Sequence, residues 1–286
     1  MNIIKSRYKN NKTRAVIVGS GGYVSSSIKF FLKDKLKILE ISRKKIDLRK
    51  KISIKKLKKI LKTDDVIIFI AAIAPCKTKK SLLDNILMLK NFITAIKDVN
   101  ISYIIYISSD AVYSDTSEKI TEYSKTNPKN LHGIMHLKRE RMLIRKNKSK
   151  LLIIRPTLIY GSNDPHNGYG PNRFMRLAVV NKNIELFGNG EEVRDHIHIH
   201  DVGKIISMSI FRRITGILNL ATGKATSFYR IAKIIINNIK SKSKIITIQR
   251  LQPMPHNGYR VFDNKLLLNY FKNYKFKTIK KITYYE

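Results

Sequence analysis

The stretch Arg14-Ala15-Val16-Ile17-Val18-Gly19-Ser20-Gly21-Gly22-Tyr23-Val24-Ser25 decides the fold. A short β-branched run stops at a glycine, and beyond the glycines Ile28-Lys29-Phe30-Phe31-Leu32 reads as helix. Glycines at such a point let the backbone approach a pyrophosphate, which then rests on the helix N-terminus. The spacing is G-x-x-G-x-x-S, and Ser25 in the third place is small enough for close passage. A plain tight turn uses glycine too, so the strand–turn–helix setting carries the reading more than the glycines do.

The alternation continues downstream. Leu36 to Ile41 reads as a second strand, and Ile54, Leu57, Ile60 and Leu61 recur at helical spacing among lysines. That basic stripe is either the solvated face of a crossover helix or a membrane-touching face. Asp65 to Ala72 is apolar throughout its core, as strands covered on both faces are. Leu82 to Ile96 reads as helix, Tyr103 to Ser108 as strand, His132 to Arg145 as helix, and Leu151 to Pro156 as strand. This pattern predicts an α/β fold, a Rossmann-type doubly wound parallel sheet. Ser162 to Asn172 is rich in Asn, Gly and Pro and reads as loop. Strand-like Val193 to His200, helix-like Val202 to Phe211, strand-like Ile217 to Leu220, helix-like Ser227 to Ile239 and strand-like Ile245 to Ile248 follow, then a Lys/Tyr-rich tail. The expected organisation is a dinucleotide-binding domain over residues 10–160, joined by a late strand near 217–221. A smaller C-terminal α/β substrate lobe over 161–286 is interleaved with it.

The second strand ends Ile41-Ser42-Arg43. A carboxylate there would hold a ribose diol, whereas Ser42 and Arg43 suit a 2′-phosphate. The cofactor is therefore read as NAD or NADP, with Asp47 and Leu48 bordering the adenine.

Composition narrows the classes. The chain has 286 residues, 43% apolar and 27% charged, which is ordinary globular material. No apolar run approaches the roughly 18 residues of a membrane helix. Met1-Asn2-Ile3-Ile4-Lys5 shows no secretory signal. Cys76 is the only cysteine, which excludes an internal disulfide and favours a reducing, cytoplasmic setting. The net charge is +37. Lys, Ile, Asn, Tyr and Phe all have AT-rich codons and Trp is absent, so base bias is the preferred explanation, although it does not account for the scarcity of acids. Cations spread along the chain speak against a nucleic-acid site, which gathers them on one face.

Several segments, in order, resemble the extended short-chain dehydrogenase/reductase family, the NAD-dependent epimerase/dehydratases of nucleotide sugars. They are the glycine turn, Phe69-Ile70-Ala71-Ala72, Asn85, Ser108-Ser109-Asp110-Ala111-Val112-Tyr113, Arg155-Pro156-Thr157-Leu158-Ile159-Tyr160-Gly161 and Arg194-Asp195-His196-Ile197-His198-Ile199-His200-Asp201. The resemblance covers nearly the whole chain. It implies a dinucleotide on Gly19, Gly22, Tyr23, Val24, Arg43, Asp47, Leu48, Ala71, Ala72 and Asn85. It implies hydride transfer at C4 of a sugar, giving epimerisation, dehydration or reduction, and a homodimer. Ala111 after Asp110, where dehydratases tend to carry a second acid, disfavours dehydration.

The family chemistry uses a Ser/Thr, a Tyr and a Lys. Ser109 stands where the hydroxyl is expected, but the Tyr-x-x-x-Lys frame reads His132-Gly133-Ile134-Met135-His136. The two histidines lie four apart on one helix face. A neutral imidazole could exchange the proton without a lysine's help. Its shorter reach could equally leave a catalytically impaired dinucleotide-binding protein, one able to meet RNA through its basic surface. A plain reductase of a small carbonyl is a third reading. By the same resemblance Asn172, Arg173, Phe187, Arg194 and Arg260 meet the nucleotide sugar, the two last on its diphosphate, where a planar guanidinium fork suits phosphate oxygens. His196, His198 and His200 alternate as strand residues sharing a face, a spacing that can bind zinc. The frame expects His198 and Asp201 for structural reasons, so no metal is assigned.

Overall fold

The computed structural model describes residues 13–279. The Met1–Lys5 lead and the end of the Lys/Tyr-rich tail lie outside the described residues. Two compact units divide the chain. The first runs to Ser114 and adds Lys125–Arg155 and Gly203–Leu218; the second comprises Asp115–Ser124, Pro156–Val202 and the residues from Asn219 onward.

The first unit is built on strands β1 (Arg14–Val18), β2 (Lys37–Ile41), β3 (Val66–Phe69), β4 (Tyr103–Ile107) and β5 (Leu151–Pro156), with helices α1 (Tyr23–Leu32), α2 (Ile52–Ile60), α3 (Lys79–Ile96) and α4 (Leu131–Asn147). The sheet order is β2-β1-β3-β4-β5-β9, where β9 is Gly216–Leu220, and the pairs from β2 to β5 run parallel. Every residue of β3 and β4 is buried, which is why these strands read as unbroken apolar runs. Each fully buried Ile or Phe there contributes about 2 kcal/mol of hydrophobic stabilisation. The strand order reverses at β1, so the crevice for a ligand opens beyond the carboxyl ends of β1 and β3.

Local chemistry sets the helix starts. Thr78 caps α3, its Oγ1 accepting from Ser81 N–H at 3.1 Å. The backbone of α6 (Ile199–Arg212) presses on α1 at Gly203, where an added Cβ would lie 2.7 Å from the Ser27 carbonyl carbon.

The second unit holds β6 (Leu158–Tyr160), α5 (Pro171–Val179), β7 (Ile184–Phe187), β8 (Val193–His198), β10 (Ala225–Ser227), α7 (Phe228–Asn238), β11 (Ile245–Ile248), β12 (Tyr259–Arg260) and α8 (Lys265–Tyr270). Strands β10, β8 and β12 form one sheet in that order, with β6 also on β8; β11 pairs with β7. Phe174, Leu186, Phe228 and Ile231 centre its core.

Two expectations are corrected. The eighth strand ends at His198, and His200 sits in the first turn of α6, so the three histidines do not share a strand face. The Asn/Gly/Pro loop ends at Pro171, which occupies the first helical position of α5 because its fixed φ suits a helix start. The strand read over Leu151 to Pro156 is β5, and the short β6 begins beyond it at Leu158.

Candidate functional site

In the first unit the glycine turn is wedged between two strand ends. Gly19 N–H donates to the Ile41 carbonyl at 2.9 Å, and Ala71 N–H donates to that of Val18 at 2.9 Å. Gly19 has φ +100, and a Cβ on it would lie 2.4 Å from the Ala71 nitrogen, so only glycine fits. Gly21 has φ +94 and open space where its Cβ would be, leaving backbone accessible to a ligand. Gly22 precedes α1 in extended conformation, with Tyr23 and Val24 opening the helix. Ser25 does more than stay small: its Oγ accepts from Gly22 N–H at 2.9 Å and donates to the Gly22 carbonyl at 2.7 Å. This cradle, which a side chain would fill, fits the pyrophosphate of a dinucleotide.

The rim at Ala71 and Ala72 is fixed by a residue not singled out in the sequence. Arg139 of α4 is fully buried and donates through Nη1 to the Ala71 carbonyl at 2.9 Å and through Nη2 to the Asn85 carbonyl at 2.6 Å. Asn85 spends its side chain inside the protein. Its Oδ1 accepts from Ile73 N–H at 2.9 Å, and its Nδ2 donates to the Ile73 carbonyl at 3.0 Å and the Ser81 carbonyl at 2.8 Å. It positions the strand end through these bonds. Arg43 is exposed beyond β2. Asp47 is clasped by Arg49, Nη2 to Oδ2 at 2.6 Å, and the hydrogen bond holds its carboxyl down to about 2. The Leu48 side chain is buried in the core, and its carbonyl accepts from Asn91 Nδ2 at 2.7 Å.

Beyond β4, Ser109 caps a short turn, its Oγ accepting from Ala111 N–H at 3.1 Å. Gly133 lets α4 press on that turn, since a Cβ there would lie 2.1 Å from the Ala111 carbonyl oxygen. His132 is thereby brought within the field of Asp110. The ring centroids of His132 and His136 stand 4.7 Å apart, edge to face. Burial pulls the His132 pKa below the usual imidazole range, partly opposed by Asp110. Its Nδ1 accepts from Cys76 N–H at 3.4 Å. His136 is buried, with Nδ1 2.7 Å from the Tyr106 hydroxyl. Burial, then His132 and Arg139, hold it neutral well below the usual range. Next to them runs a buried network: Ser108 Oγ donates to Glu140 Oε1 at 2.5 Å, Glu140 Oε2 meets Arg155 Nη2 at 2.6 Å, and Arg155 lies over the Tyr113 ring.

In the second unit, Arg194 on β8 and Arg260 on β12 are register partners, and both are buried. Arg194 pairs with Glu192 and donates to the Pro255 carbonyl at 2.7 Å. Arg260 Nη1 lies 3.7 Å from Asp115, which also meets His256 Nδ1 at 2.5 Å. Glu192 in turn reaches Arg250 at 3.3 Å, whose guanidinium covers the half-exposed Phe187 ring. Asn172 holds the preceding loop, Oδ1 accepting from Gly161 N–H at 2.9 Å and Nδ2 donating to Asp164 at 2.8 Å. Arg173 is near the surface, 3.9 Å from Glu185. His196 is buried against Phe228, neither ring nitrogen has a well-formed hydrogen bond among the described residues, and burial drives its pKa down to about 3, partly opposed by the Arg194 backbone. Among the described residues no three His, Cys, Asp or Glu side chains gather as a metal site.

A parallel sheet with a glycine cradle at its switch point defines a dinucleotide-binding Rossmann protein. The chain belongs to the NAD dependent epimerase/dehydratase family, whose model matches residues 15–221. Its fold is similar to that of UDP-glucose 4-epimerase from Thermus thermophilus, solved in complex with NAD: TM-score 0.79, 19% identity, covering 93% of this chain and 96% of that one. A dTDP-4-dehydrorhamnose reductase from Clostridium acetobutylicum is similar at TM-score 0.77 and 22% identity, over 89% of this chain and 91% of that one. A GDP-L-fucose synthetase from Naegleria fowleri, bound to NADP, is similar at TM-score 0.77 and 18% identity, over 94% and 91%. The family uses NAD or NADP, and the glycine cradle fits either.

Proposed function

We propose that the protein is an NAD(P)-dependent nucleotide-sugar enzyme acting at C4 of the sugar, and that it works as a reductase of a 4-keto group. The first unit holds the dinucleotide, and the second holds the nucleotide sugar, with the registered Arg194 and Arg260 on its diphosphate. Asn172, Arg173 and Phe187 flank that ligand.

The observation that carries the reductive direction is the His132 ring. With Nδ1 accepting from Cys76 N–H, the neutral imidazole keeps its hydrogen on Nε2. A ring in that tautomer donates to an oxygen and does not take a proton from one. It therefore suits a carbonyl oxygen gathering negative charge and serves a hydroxyl poorly. Ser109 adds a second donor from the neighbouring turn. A bound NAD(P)H supplies the hydride. The alkoxide that forms is held by the Ser109 and His132 donors, which keep their own protons, and it takes its proton from solvent. His136 does not act as the ribose-holding cation, because burial keeps it neutral on Tyr106.

The same observation favours a second reading, a dinucleotide-binding protein without turnover, since no cation replaces the missing lysine at position 136. NADPH oxidation across a panel of 4-keto UDP-, dTDP- and GDP-sugars separates the two. Consumption with one of them supports the enzyme; binding of NADPH without consumption by any supports the silent protein. RNA affinity falling steeply with salt would favour a nucleic-acid role for that silent form.

Two features bear on setting. Leu83 and Leu87 are exposed one turn apart on α3, which supports a homodimer through this face. The single free thiol, Cys76, is buried and fits a reducing cytoplasm. Among the described residues no helix is long and apolar enough to cross a membrane.

A further inference from the structure

Arg139 of α4 is a buried cation, and among the described residues every group bonded to it is neutral. Its guanidinium lies over the Phe69 ring at 5.5 Å, and its Nε, Nη1 and Nη2 donate to the carbonyls of Asn85 and Ala71 at 2.6 to 2.9 Å. It also hydrogen-bonds the Tyr106 hydroxyl. Glu140, the next residue of α4, is engaged by Ser108 and Arg155. Tyr106 on β4 is 0% exposed, and its hydroxyl oxygen stands 2.7 Å from His136 Nδ1. Among the described residues that hydroxyl has two polar partners, the guanidinium and the imidazole.

An arginine side chain has donors and no acceptor, so Tyr106 can only accept from Arg139. The single hydrogen of the hydroxyl then has one place to go, His136 Nδ1. In the opposite arrangement His136 would donate from Nδ1 and the Tyr106 hydrogen would be buried without a partner, which disfavours that arrangement by roughly tenfold or more. Burial, with His132 and Arg139, already keeps the His136 ring neutral, so its one hydrogen is left on Nε2. We propose that Arg139 is a positioning residue: acting through Tyr106, its donor-only guanidinium locks His136 in the Nε2–H tautomer and makes that ring a neutral hydrogen-bond donor to a hydroxyl of the nicotinamide cofactor. The inference rests on the dinucleotide-binding reading. It gives the chain two neutral donors on one helix face, His132 held by the Cys76 N–H and His136 held by Tyr106.

Nitrogen NMR of the full chain, labelled at its histidines, reads the tautomer with neither cofactor nor sugar present, and the spectrum of His136→Asn identifies the His136 signals. The unaltered protein at pH 7 shows His136 neutral, with hydrogen on Nε2 and Nδ1 accepting. Arg139→Gln, whose side-chain carbonyl can accept from Tyr106, moves the tautomer balance toward Nδ1–H by roughly tenfold. Arg139→Lys, again a donor only, preserves the Nε2–H form. Tyr106→Phe keeps the Arg139 bonds to Ala71 and Asn85; it releases the tautomer and weakens NADPH binding about threefold to tenfold. This variant decides alone where Arg139→Gln does not fold. A charged His136 or hydrogen on Nδ1 in the unaltered protein overturns the proposal. A tautomer unmoved by Tyr106→Phe also overturns it, as does a released tautomer that leaves NADPH affinity unchanged. Failure of the unaltered protein to bind either NADH or NADPH removes the parent reading, and the NMR signals still decide whether Arg139 sets the tautomer.

Discussion

Replacing His196 with Phe is expected to make the second unit more resistant to acid. The imidazole is buried against Phe228; the Arg194 backbone partly favours its protonation, the Arg194 guanidinium opposes it through space, and Asp195 is the adjacent acid on β8. Burial holds its pKa at about 3, against about 6.5 in an unfolded chain. The unfolded chain therefore takes up the proton first as pH falls. The stability contributed by the neutral ring is complete above about pH 7 and is lost progressively from about pH 6.5 down to about pH 3. The loss is about 2 kcal/mol at pH 5 and about 3 kcal/mol at pH 4. Asp195 titrates with the opposite sign: burial raises it to about 6 despite hydrogen bonds from Thr222 and Gly223, so it favours the folded form as pH falls. The comparison must therefore be between His196→Phe and the parent, where the Asp195 contribution cancels. Hydrogen exchange of the β8 and α7 amides at pH 7 and pH 5 reads the opening energy of this unit directly. The parent should lose about 2 kcal/mol more than the variant between the two. Equal losses would mean that the ring is solvated or hydrogen-bonded, and would refute the reasoning.

Three further outcomes follow from the first unit. His132→Ala should lower NADPH-dependent turnover by about a hundredfold with little change in NADPH affinity, and His132→Tyr should raise turnover; unchanged kcat in the alanine variant would remove the ring from the chemistry. Gly133→Ala should cost about 2–3 kcal/mol in a denaturant melt and disturb the Ser109 turn, because the new methyl meets the Ala111 carbonyl oxygen and the Pro128 Cβ, at 2.1 and 2.6 Å. Glu140→Gln should cost about 3 kcal/mol by leaving Arg155 buried without its charge partner, whereas Glu140→Leu with Arg155→Met should recover most of the loss; an equal cost in the double variant would contradict the ion-pair account.

What the sequence disclosed followed from periodicity. Buried parallel strands such as Val66–Phe69 announce themselves because both faces are covered, and the glycine turn because Gly19 has backbone where any side chain would go. Elements of the second unit were harder to read. The Asn/Gly/Pro composition of residues 162–172 concealed the start of α5, although Gly170-Pro171 is itself a helix-start signal. His200 follows the alternation of His196 and His198 in sequence, but β8 stops two residues earlier. Side-chain direction was not legible at all. Spacing puts His132 and His136 on one face, but only packing against β4 turns His136 onto Tyr106. The roles of Arg139, Glu140 and Arg155 likewise depend on partners distant in the chain, as with Arg139 and Asn85.

The most direct test of the account follows hydride itself. NADPH carrying deuterium at nicotinamide C4 is incubated with the protein and each 4-keto nucleotide sugar, and the recovered sugars are weighed by mass spectrometry. The account predicts a reduced sugar carrying one deuterium at C4, formed in step with NADPH loss. NADPH that binds tightly while every sugar returns unreduced and unlabelled would contradict it.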